Sequence, residues 1–253
     1  MPLVGYFIFY SVSGPFGALS ISVGYIMYIS YCMVKFTIAD KEYKIAERFT
    51  VSQWKDIIKW DFEYKPHWPR ILSTATGAPL EYLEQTVEES LELGIVFIAT
   101  VINQRTETKI KDFNTITFGE WIDLDIYLNW GADKHIDEIL QLLSPDTTMA
   151  DEALWVIEKY STWRLFIYKQ YTKLFGLDEI SEGDGGQTGD IAKSWYEVII
   201  SLANEDILNI DAVTEQPLKK ALNFMAYKKE KQLEEQQRQL KQRRANDLLR
   251  NSK

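Results

Sequence analysis

Between residues 151 and 175 apolar side chains return almost always every three or four positions: Leu154, Ile157, Tyr160, Leu165, Tyr168, Tyr171 and Leu174. Trp155, Trp163 and Phe166 widen the stripe. This is the period of one face of an α-helix, whereas strand side chains alternate with a period of two. The run therefore predicts a long helix. Gly176 is its expected stop, because a residue without Cβ accepts the left-handed turn past a helix end. A chain built around such a stripe has to bury it, and the simplest cover is other helices.

The same period recurs elsewhere. Thr50 suits the cap of a helix to about Trp60, with Val51, Trp54, Ile57 and Ile58 on one face. Pro79 fits the first turn of a helix that carries Leu80, Leu83, Val87 and Leu91 and runs to about Ile102. Thr117 and Glu120 have the spacing of a capping box, in which hydroxyl and carboxylate each serve the other residue's backbone amide. The helix behind them buries Trp121, Leu124 and Leu128. A short helix over 134–143 ends before Pro145. Residues 34–38 and 43–45 differ: Phe36, Ile38, Tyr43 and Ile45 alternate with polar neighbours, as in a half-buried β-hairpin. Pro66 and Pro69 make 64–70 a packed loop. The expected fold class is mainly α with a small N-terminal β-hairpin, an α+β arrangement.

Four segments follow. Residues 1–32 are apolar, and no charge occurs before Lys35. That is long enough for a bilayer span, but Gly5, Gly14, Pro15, Gly17 and Gly24 interrupt it and no basic residue makes it a signal peptide. Met33 suits the start of a folded domain, so a mis-assigned start and a membrane anchor both remain open. Residues 33–176 form the hairpin and helical body. Residues 177–189 are acidic and glycine-rich, the composition of a flexible linker. Residues 190–253 form C-terminal helices: one from about 190 to 203, then a long one with Thr214 as cap and Pro217 in its first turn, reaching about Arg250.

Net charge is −9, yet the stretch from Lys219 to Lys253 holds eleven basic and four acidic residues and leaves −16 on the rest. The acidic balance disfavours nucleic acid. The basic end suits an acidic partner or the body of another copy. The one cysteine, Cys32, excludes an internal disulfide.

No catalytic, cofactor-binding or metal-binding constellation emerges, and an enzyme is not expected. His67, flanked by Lys65-Pro66 and Trp68-Pro69, reads as aromatic packing, and His135 as a surface residue at a helix start. With Cys32 they lack zinc-site spacing. Asp123 and Asp125 lie two apart and share no helical face, so they read as solvated charges, as do Glu88 and Glu89. The glycines of 183–189 lack the Gly-Lys-Ser/Thr of a phosphate loop. Trp54, Trp60, Trp121, Trp155, Trp163 and Trp195 fall on predicted helices as core residues. The remaining signal is a partner-binding face on the last helix: Leu218, Leu222, Phe224, Met225, Tyr227, Leu233 and Leu240. Leu233 and Leu240 are one heptad apart, too few for a sustained coiled coil.

Three stretches resemble the tail-assembly proteins of tailed bacteriophages, that is, tail assembly chaperones and T4-like baseplate-hub assembly proteins. They are the hairpin with Phe49-Thr50-Val51-Ser52-Gln53-Trp54, the run from Thr117-Phe118-Gly119-Glu120 through Trp121-Ile122-Asp123-Leu124, and Trp195 with Ser201-Leu202-Ala203, Asp206-Ile207 and Gln216-Pro217-Leu218. The resemblance implies a protein of the host cytoplasm that binds and shields a tail component, such as the helical tape measure or a baseplate-hub protein. Alternatives are a structural baseplate or tail subunit of the virion and, if residues 1–32 are genuine, a membrane-tethered interaction module. Self-association is a further partner class.

Overall fold

The computed structural model describes residues 7–9, 34–38, 41–86, 88–175 and 188–251. Apart from Phe7–Phe9, the apolar segment 1–32 lies outside the described residues, as does the linker up to residue 187. The described chain is mostly helical. It packs as two units interleaved in sequence. The first comprises Met1–Thr108 and Asp146–Trp155, the second Lys109–Pro145 and Val156–Lys253.

In the first unit, β2 (Val34–Ile38) and β3 (Lys41–Lys44) pair antiparallel, with Phe36 opposite Tyr43 and Thr37 opposite Glu42, so the second strand starts and ends earlier than the expected 43–45. A strand that the apolar opening did not suggest, β1 (Phe7–Phe9), pairs with the other edge of β2. Helix α1 (Val51–Ile58) starts at a capping box in which Thr50 Oγ1 accepts from the Gln53 backbone at 3.2 Å and Gln53 Oε1 accepts from the Thr50 backbone at 3.0 Å. It buries Val51, Trp54 and Ile57.

The stretch expected as a loop over 64–70 leads instead into helix α2 (Trp68–Thr76). Pro69 occupies its first turn, where no backbone N–H is required, so this proline starts a helix rather than breaking one. The helix stops at Gly77, whose φ of 71° is left-handed. The single helix expected from Pro79 to Ile102 is split into α3 (Leu80–Leu83) and α4 (Glu88–Ile102), with Pro79 as N-cap. Between them Gln85 and Thr86 close three-residue turns onto Tyr82 and Leu83. Helix α4 packs closely on α2 because Gly94 lies there: a Cβ on it would sit 2.7 Å from Leu72 Cδ2.

The second unit gathers α5 (Phe118–Gly131), α6 (Ile136–Leu143), most of α7 (Ala150–Gln170), α8 (Thr172–Phe175), α9 (Thr188–Leu202), α10 (Ile210–Thr214) and α11 (Leu218–Asn251). The α5 capping box is present, Thr117 with Glu120. Helix α5, expected in the body, packs with α9, α10 and α11 from the expected C-terminal segment. Thr214 ends α10 rather than capping α11.

The stripe on α7 is also corrected. Leu165 and Phe166 are exposed, while Ala153, Val156, Tyr160 and Ile167 are completely buried. The small Ala153 and the cationic Arg164 hide the true inward face from a count of large apolar residues.

Candidate functional site

Chemically capable side chains come first, because they would carry any reaction. His67 accepts from the Asp61 backbone N–H at 3.2 Å through Nδ1 and meets Trp60 and Tyr64 edge-on, which is aromatic packing as expected. His135 is not the surface residue expected. It stacks on Tyr127 with ring centroids 5.3 Å apart and tilts against Trp130, because α5 ends beside the start of α6. Cys32 lies outside the described residues. Among the described residues no group of three or more His, Cys, Asp or Glu converges as a metal site, and no helix is long and apolar enough to cross a membrane.

The largest departure is Asp125. Asp123 is exposed, but Asp125 is 2% exposed. Oδ1 accepts from Arg164 Nε at 2.6 Å and from the Tyr168 hydroxyl at 2.7 Å, and Oδ2 accepts from Trp195 Nε1 at 2.8 Å. Burial works against the Arg164 charge, yet the carboxylate outweighs it and holds that pKa above its ordinary value. Tyr168 is pushed well above the usual phenol range by burial and by the Asp125 charge, so it stays a neutral donor. A cation and two neutral donors surround the carboxylate, and the three donors come from α7 and α9. It is a clamp joining α5 to both helices.

Beside it, Trp121, Tyr160, Trp163 and Phe113 interlock with ring centroids 4.9–6.2 Å apart. The fully buried Tyr160 hydroxyl and Trp121 indole N–H have no hydrogen-bond partner among the described residues. Burial raises the Tyr160 pKa far above its ordinary value, so its ring is neutral packing.

The predicted partner face divides into two. Leu218, Leu222, Ala226, Leu233 and Leu240 follow one another at spacings of four, four, seven and seven, so they lie along one side of α11. At its start this seam is core: Leu218 is 3% exposed and Leu222 0%. These two are thereby corrected from surface to interior, because α11 packs that end against α5 and α8. The same seam then runs out of the body. Every residue from 230 to 244 is exposed, and Leu233 and Leu240 stand 46% and 53% open. The last anchors are Lys228 on the Ser201 carbonyl and Lys229 on the Leu174 carbonyl.

Phe224 and Tyr227 are exposed on another side of α11, and Met225 is half-buried. Phe224 borders a groove of about 530 Å³ lined mainly by Leu202, Asn209, Ala212, Val213 and Ala221. The groove opens beside the α9–α10 turn, which sequence reasoning left without a role. Asn204 and Glu205 there have φ of 55° and 61°, two consecutive non-glycine residues in the left-handed region. That turn projects Ile207 and Leu208, 78% and 85% exposed. The apolar pair following Asp206 was the available signal, since a short turn cannot bury both.

Comparison with known proteins finds no matching family model, curated protein or solved structure.

Proposed function

We propose that the protein is a non-enzymatic assembly factor that binds and shields an apolar helical segment of another protein. On the bacteriophage resemblance, that client is a tail component such as the tape measure or a baseplate-hub protein, held in the host cytoplasm before assembly. The observation that carries the reading is the seam of α11, which is core at Leu222 and solvent-exposed at Leu233 and Leu240. An isolated polar helix gains little stability by itself, so a seam prolonged into solvent fits a helix that is completed by a partner. Ile207, Leu208 and Phe224 add an exposed apolar surface on the same unit.

Co-expression with the tail proteins of the same genome tests it. The expected result is that one helical tail protein moves from the insoluble to the soluble fraction and co-purifies. A survey of all of them with no change in solubility and no co-purification overturns the reading.

A further inference from the structure

The groove and the free end of α11 are opposites in shape and in charge. The groove is concave and mainly apolar, and the segments that form it carry more acid than base. Between Thr188 and Ala221 stand Asp190, Glu197, Glu205, Asp206, Asp211 and Glu215 against three cations, Lys193, Lys219 and Lys220, the last of which lines the groove. Of these, Glu205, Asp211 and Glu215 adjoin the groove-lining residues Asn204, Ala212 and Gln216 in sequence, and all three are exposed. The free helix end is convex and basic. Arg238, Lys241, Arg243 and Arg244 surround Leu240, and no acidic residue occurs from Gln236 to Asn246.

The two cannot meet within one chain. Phe224 at the groove and Arg238–Arg244 belong to one unbroken helix, 14 to 20 residues apart. A rise of 1.5 Å per residue places the basic end about 21–30 Å from its own groove. We therefore infer that two copies of this chain associate by exchanging helix ends. Leu233 and Leu240 of one copy enter the groove formed by Leu202, Val213 and Phe224 of the other, while its basic residues meet Glu205, Asp211 and Glu215. Reciprocal exchange uses the same patch twice and closes a two-fold dimer. The inference goes beyond the client reading and uses the same Leu233, Leu240 and Phe224, so the dimer and the client compete for them; sedimentation of the chain alone tests the dimer without the client.

Sedimentation equilibrium of the full chain tests it with two charge-reversed variants. The tail variant carries R238E, K241E, R243E and R244E; the body variant carries E205K, D211K and E215K. The unmodified chain is expected at twice the monomer mass at tens of micromolar and low salt. Raising the salt should weaken association about tenfold, since exposed charge pairs are screened. Each variant alone sets like charges against each other and should run as a monomer. An equimolar mixture restores opposite charge at both contacts and should return to the dimer mass. A wild-type monomer across the range overturns the proposal, as does a dimer indifferent to either variant, or a mixture that stays monomeric. If circular dichroism shows that the tail variant loses helix, L233S with L240S replaces it and must also give a monomer.

Discussion

Helices α5 and α11 invert each other. Helix α5 hides an aspartate, Asp125 at 2% exposure, and α11 displays a leucine, Leu240 at 53%. Either placement alone runs against the preference for buried apolar and exposed charged residues. The carboxylate is tolerated because it has three donors, one of them cationic. The leucine has no such compensation among the described residues. An expensive feature that is fully satisfied holds a fold together; one left unsatisfied points to a partner. The second unit is therefore fixed at α5 and offered at α11.

The contrast is broken most forcefully at Asp125. Asp125→Ala leaves the part-buried Arg164 guanidinium and the buried Trp195 indole N–H without their acceptor. Loss of one member of a buried ion pair costs about 3–5 kcal/mol, and denaturant unfolding followed by tryptophan fluorescence should show that loss. A change under 1 kcal/mol would mean that Asp125 is not a clamp. The inner end of the α11 seam comes next. Leu222→Ala should cost about 2–5 kcal/mol, as expected for a leucine truncated in a packed core. The same substitution at Leu240, further along the same seam, should leave the unfolding midpoint within experimental error. Equal effects at Leu222 and Leu240 would erase the distinction between core and offered surface.

Helix identity was legible where the apolar period or a cap was explicit. Thr50 as the cap of α1 and the Thr117–Glu120 box of α5 are examples. Helix α2 was missed because a proline signals a break and a helix start with the same letter, and only the conformation around Trp68 decides between them. Asp125 was unreadable because its partners lie 39, 43 and 70 residues away. Nothing local marks Arg164 as the cation that turns a solvated charge into a buried one. The α11 face was half legible: periodicity aligns Leu222 with Leu240 but cannot tell where the body ends beneath them. The Ile207–Leu208 projection depends on two left-handed residues, which no propensity favours at Asn204 and Glu205.

A second buried carboxylate sharpens the lesson of Asp125. Asp151, in the first unit, is 4% exposed, and Arg48 forks onto it at 2.8–3.0 Å while 39% of the arginine side chain remains open. Burial pushes the Asp151 pKa up, but the hydrogen bonds and charge of Arg48 dominate and hold it below the ordinary carboxylate value. A depressed folded-state pKa contributes stability that is present above the unfolded pKa, near 4, and is lost as pH falls through the folded one. Arg48→Ala should therefore lower stability at neutral pH by about 1.5–3 kcal/mol, the range for charged hydrogen bonds, and flatten the acid limb of the stability profile. The water-reaching arginine predicts a smaller loss than Asp125→Ala. Equal losses would show that burial of the cation does not set the cost.

The smallest expected effect on stability bears most directly on function. Phe224 and Tyr227 are 51% and 56% exposed, their rings contact only the side chains of Lys228 and Lys231 among the aromatic and cationic neighbours described, and α11 is already anchored by Leu218 and Leu222. Phe224→Ser with Tyr227→Ser removes surface that is mostly in water already, so unfolding free energy should shift by no more than about 0.5 kcal/mol per site. Partner capture should fall far more, because a half-exposed aromatic contributes its remaining area only when a partner covers it. Thermal unfolding and pull-down of the solubilised client, measured on the same preparation, separate the two. A drop in melting temperature as large as that of Leu222→Ala would assign both rings to the core and leave the groove without its outer wall.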